Sequence, residues 1–102
     1  MLGSILAWLG CGTAHAPGVA YYKTFSGYDL PWKPRRETME AEALRLTAYL
    51  KVTYDQHGRM VVLEKWLRGK LWFRHDYEYD ADGEPLRVTI SHPGHEPVVR
   101  DL

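Results

Sequence analysis

From Arg45 to Tyr54 the chain alternates between polar and apolar residues. Leu46, Ala48, Leu50, Val52 and Tyr54 fall on one side, and Arg45, Thr47, Tyr49, Lys51 and Thr53 on the other. A period of two does not fit a helix and commits the segment to a strand with one buried face. Asp55-Gln56-His57-Gly58 then supplies a turn, with Gly58 free to take positive φ. Arg59 to Leu67 runs back, and Arg68-Gly69-Lys70 turns again. Leu71 to Tyr79 places Leu71, Phe73, His75, Tyr77 and Tyr79 on one face, opposite Trp72, Arg74, Asp76 and Glu78. Asp80-Ala81-Asp82-Gly83 makes a third turn, and Leu86, Val88 and Ile90 line the next strand. His92-Pro93-Gly94-His95 breaks it, leaving Pro97 to Leu102 as a short edge strand or tail.

Upstream, Val19 to Phe25 reads as a further strand, and Leu30 to Pro34 must be extended because residues before proline avoid the helical region. Glu37 to Leu44 is the one helical candidate, with acidic residues suited to a helix N-terminus. The expected fold is mainly β, with α+β as the alternative. It is an antiparallel meander of about four to six strands with one short helix. A lone meander must cover its apolar face, and the helix, the Tyr21–Trp32 segment and the N-terminal residues are the available covers. The organisation is an apolar arm over residues 1–18 and a single small domain over residues 19–102.

The arm stands apart. Residues 1–18 contain no Asp, Glu, Lys or Arg, and Leu2, Ile5, Leu6 and Leu9 recur at helical spacing with Trp8 beside them. A secretory signal would carry a basic stretch first, and an interfacial helix would carry Lys or Arg on its polar face. Docking of the arm, into the domain or a partner, is the preferred reading.

Charge limits the partners. Thirteen basic residues balance thirteen acidic ones, which argues against nucleic acid, whose binding draws on excess Lys and Arg. Lys33-Pro34-Arg35-Arg36 is followed by Glu37, Glu40 and Glu42 and reads as a solvated charged segment. Cys11 stands alone, so no intrachain disulfide forms.

Tyr54-Asp55-Gln56-His57-Gly58-Arg59 recurs as Tyr79-Asp80-Ala81-Asp82-Gly83-Glu84. These hairpins resemble the tyrosine–aspartate repeat of Rhs-type shell proteins and, more loosely, MORN-type repeats. Glu84-Pro85 departs from the usual Gly-Arg-Leu continuation, and two copies build no shell. Across Tyr22 to Ile90, the run Tyr22-Lys-Thr-Phe-Ser-Gly27-Tyr-Asp-Leu30-Pro31, then Tyr54-Asp55, Gly58-Arg59, Glu64-Lys65, Gly69 and His75-Asp-Tyr77-Glu-Tyr79 is similar to a family of small bacterial proteins of unknown function. That resemblance implies a bacterial source, and no activity, cofactor or site residue.

Few residues invite chemistry. His92-x-x-His95 has a chelating spacing, with His75 or His57 as a third ligand, but zinc sites take three or four protein ligands and Pro93-Gly94 spells a turn. His75 could serve as a general base in a pocket, or be a core histidine with hydrogen-bonded ring nitrogens. Cys11 lacks a charged neighbour to activate it. Asp80 and Asp82 fall short of a calcium loop. No catalytic residue, metal or cofactor is therefore expected.

The aromatics point elsewhere, because Tyr and Trp are enriched at interfaces. The leading reading is a non-catalytic protein–protein interaction module, an accessory or assembly subunit of a larger complex. Its candidate partner-binding residues are Leu2, Ile5, Leu6, Trp8, Leu9, Trp32 and Trp72. One alternative is a small-molecule-binding protein or enzyme with a pocket near His75. Another is peripheral membrane contact through residues 2–9. A homodimer by strand addition is open. The expected location is the cytoplasm, or a membrane through a partner complex.

Overall fold

The computed structural model describes residues 15–27 and 29–102, and within them the chain forms one antiparallel sheet of seven strands. In chain order these are β1 (Gly18–Ser26), β2 (Lys33–Thr38), β3 (Ala48–Tyr54), β4 (Met60–Leu67), β5 (Lys70–Tyr79), β6 (Pro85–Ser91) and β7 (Val98–Asp101). A one-turn helix, α1 (Glu40–Ala43), connects β2 to β3. The spatial order is β2-β1-β3-β4-β5-β6-β7, so β3 to β7 form a meander and β1 returns to flank β3.

The expected mainly-β fold is found, with two differences. Glu37 and Thr38 belong to β2, where they oppose Tyr22 and Tyr21, so the helix is shorter than Glu37–Leu44. Pairing with β1 overrides the helical preference of these residues. The charged Lys33–Arg36 segment is exposed except at Pro34, as a solvated segment should be, and starts the edge strand β2. Counting β2 and β7 raises the sheet to seven strands.

The alternation foreseen from sequence sets the core. Val52, Leu63, His75 and Ile90 stand directly opposite one another across β3 to β6, and directly opposed residues share a face. Leu50, Val52, Leu63 and Val88 are fully buried, each contributing about 1.5–3 kcal/mol by leaving water. Leu30 and Trp32, on the loop between β1 and β2, pack against this cluster and cover part of the apolar face. On the other face α1 buries Ala43, and Tyr21 donates to Glu40 at 3.1 Å.

Two hairpins repeat in detail. Asp55 Oδ1 accepts the amides of His57 and Arg59 at 2.8 and 2.9 Å, and Asp80 Oδ1 accepts those of Asp82 and Glu84 at 2.9 and 3.0 Å. Gly58 and Gly83 take φ of 79° and 84°. In each the returning strand then holds an extra residue, Val61 between Thr53↔Val62 and Tyr54↔Met60, and Leu86 between Glu78↔Arg87 and Tyr79↔Pro85. The hairpin between them has a different design: Arg68 and Gly69 both have positive φ, 51° and 77°, as a two-residue type I′ turn requires.

Candidate functional site

The two Tyr-Asp turns and the Asp29–Pro34 loop border an open hollow of about 620 Å³, within the volume range of ligand pockets. Trp32, Tyr54, Met60 and Tyr79 supply its apolar walls, and His57 and Arg59 stand among its lining. The loop is brought over the sheet by Trp32, whose ring stacks on Phe25 at 4.5 Å and meets Phe73 edge-on at 5.5 Å.

The tyrosine hydroxyls of this hollow and its Arg59 side chain are already engaged. Tyr79 donates its hydroxyl to the Met60 carbonyl at 2.6 Å. The hydroxyls of Tyr54 and Tyr22 lie 2.7 Å apart, and Tyr22 donates to Glu37. Both tyrosines are held above the usual phenol range, first by burial and then, for Tyr22, by the neighbouring Tyr54. Asp55 is held below the usual carboxylate range by the Arg59 amide, and it fixes the Arg59 guanidinium 4.8 Å from the centre of the Tyr79 ring. The site therefore offers ring faces and a thioether more than free donors. His15 sits at its rim, donating its amide to the Gly58 carbonyl at 3.1 Å and stacking on Tyr54 at 4.0 Å.

His75 lies outside this hollow. It is 2% exposed, and its Nδ1 is hydrogen-bonded to the Tyr77 hydroxyl at 3.0 Å. Burial pushes the His75 pKa down to about 4 and that of Tyr77 up to about 12. A neutral histidine wedged between Trp32, Phe73 and Tyr77 is a core residue with a hydrogen-bonded ring nitrogen. The recess next to it holds about 240 Å³, below the usual size for ligand sites.

Of the sequence-derived candidates, Trp32 lines the large hollow and Trp72 does not. Trp72 is 52% exposed beside a separate hollow of about 390 Å³ with Leu67, Arg68, Lys70 and Leu71. It is the extra residue between Lys65↔Phe73 and Trp66↔Leu71, so a bulge takes it out of the ladder. Leu2, Ile5, Leu6, Trp8, Leu9 and Cys11 lie outside the described residues. His92 and His95 face each other at 6.2 Å between ring centres, and no group of three or more metal-ligating side chains occurs among the described residues. Sequence reasoning missed Tyr54, Met60 and Tyr79 as wall residues, although the repeated Tyr-Asp-x-x-Gly was their signal.

A family model described as a family of unknown function, DUF6156, matches residues 14–100. The chain belongs to that family. No curated protein and no solved structure matches it. The DUF6156 match spans both Tyr-Asp turns, the Trp32 loop and nearly all of β7. Among the described residues of this DUF6156 protein no helix is long and apolar enough to cross a membrane.

Proposed function

We propose that the protein is a non-catalytic interaction module, an accessory or assembly subunit that takes an apolar segment of a partner protein between the Trp32 loop and the two Tyr-Asp turns. One observation carries this reading: the hollow is walled by Trp32, Tyr54, Met60 and Tyr79 while the tyrosine hydroxyls are spent on internal bonds. The hollow's charges are balanced, with Lys33 and Arg59 against Asp29 and the Asp55 that holds Arg59. An uncharged, extended segment suits such walls, in the manner of proline-rich or apolar peptides in aromatic grooves. We read the paired turns as a tandem unit of the tyrosine–aspartate repeat type, used here as a wall.

The test is affinity purification of the tagged full chain beside Met60→Lys and His57→Glu variants, each checked by circular dichroism for an unchanged fold. A stoichiometric partner captured by the parent and lost from both variants supports the reading. A partner retained by both overturns it.

A further inference from the structure

The two edges of the sheet differ, and the difference goes beyond the groove reading. At one edge, β2 presents Lys33, Pro34, Arg35 and Arg36, and Arg36 adopts φ of 63°. Charge, proline and a left-handed residue are the devices that stop a strand from being extended by another. At the other edge β7 has no left-handed residue, its charges are confined to Arg100 and Asp101, and its one neighbouring proline, Pro97, precedes the strand, so Val98 and Val99 are its unguarded part. Val98 and Val99 are 54% and 57% exposed, and no strand pairs with the outer side of β7 among the described residues.

The ladder shows which groups are open. The Leu102 amide donates to the Leu86 carbonyl at 2.9 Å, and the register pairs Val88 with Arg100 and Ile90 with Val98. Because inward- and outward-facing residues alternate, the amides and carbonyls of Arg100 and Val98 face β6, while those of Val99 and Asp101 face outward.

We infer that β7 pairs antiparallel with β7 of a second copy of this chain, centred on Val99 facing the partner copy's Val99. In a continuous antiparallel sheet the two-fold axis passes midway between one residue and its own copy. Centring on Arg100 or Asp101 sets like charges opposite each other. Centring on Val98 pairs Val99 with Pro97, which has no amide to give. Centring on Val99 sets valine against valine, with amide and carbonyl exchanged in both directions, and places Asp101 opposite Pro97, whose carbonyl can accept the Asp101 amide although it returns none. A second copy is the fitting occupant because β7 is self-complementary while β2 is guarded. Pairing β7 to β2 would build an open filament, whereas pairing β7 to β7 closes at two strands and leaves a guarded β2 at each end. The strand is four residues long, so the interface is small and the association weak.

Sedimentation equilibrium of the full chain from about 10 µM to about 1 mM, a range suited to a small interface, should show monomer passing to dimer. Val99→Pro should weaken association at least about tenfold, because the proline removes only an outward amide and leaves the β6 ladder intact. In a Cys11→Ser background, Val99→Cys should form an intermolecular disulfide under mild oxidation, since hydrogen-bonded opposed residues sit at about 5.5 Å between Cα atoms, a distance that suits a disulfide. A chain that stays monomeric throughout overturns the inference. So does a dimer that persists in Val99→Pro or fails to link through position 99. None of these outcomes depends on the groove, whose partner is read with Met60→Lys.

Discussion

His75 shows how one side chain can couple the core to pH. Its folded value, about 4, lies below the 6.5 of the free side chain because burial penalises the imidazolium. Above pH 6.5 both states are neutral and the residue is silent. As pH falls below 6.5 the unfolded chain takes up the proton first, so stability is lost down to the folded value. From pH 7 to pH 5 this amounts to about 2 kcal/mol. Denaturant unfolding at the two pH values should show that loss in the parent and a much flatter response in His75→Gln, whose carbonyl can still accept from Tyr77. Asp55 acts in the same sense but in a lower window. Its depressed value gives stability that is present above pH 3.8 and lost as pH falls through its folded value, so the pH 7 to 5 interval reports on the histidine. Burial of His75 was legible in sequence, from its place between Phe73 and Tyr77 on an alternating face. Its hydrogen bond to Tyr77 was not, because residues two apart meet only when twist and covering loop bring them together.

At the level of elements, the hairpins divide into two kinds, and each carries its own prediction. In the Tyr-Asp turns the aspartate organises the backbone. Asp55 also grips the Arg59 side chain at 2.9 Å, whereas position 84 is a glutamate and gives Asp80 no such partner. Asp55→Ala should therefore lower the melting temperature more than Asp80→Ala, as read by thermal unfolding monitored in the far ultraviolet. In the Arg68-Gly69 turn the strain sits on a non-glycine residue at positive φ. Asn tolerates that region better, so Arg68→Asn should stabilise by about 0.5 kcal/mol and Gly69→Ala should destabilise by about 1 kcal/mol. The turns could be read from Asp, Gly and spacing alone. The bulges at Val61, Trp72 and Leu86 could not, because an unpaired residue depends on the register of a partner strand that a single strand's pattern does not specify. That is why Trp72, assigned by alternation to the face of Arg74 and Asp76, leaves the ladder instead. Glu37 failed for a related reason, since its helical propensity is local and its pairing with Tyr22 is not.

Over the whole molecule, stability should be graded across the sheet. The largest fully buried side chains lie on β3, β4 and β6, and the covering loop adds Leu30 and Trp32 over β5. Both outer strands are poorly buried: β7 is exposed along its length, and in β2 only Pro34 and Thr38 are partly covered. A strand held by one ladder and few apolar contacts opens at a small fraction of the global free energy. Native-state hydrogen exchange at low protein concentration should therefore find its slowest amides among Leu50, Val52, Leu63 and Phe73. The β6-facing amides of Arg100 and Leu102 should exchange orders of magnitude faster, through local fraying of β7. Equal protection across all seven strands would mean that the sheet opens only as a unit. The outer strand would then be held by contacts beyond its ladder to β6. A graded pattern instead leaves the edge free to fray while the aromatic walls at Tyr54 and Tyr79, anchored on the inner strands, keep their shape.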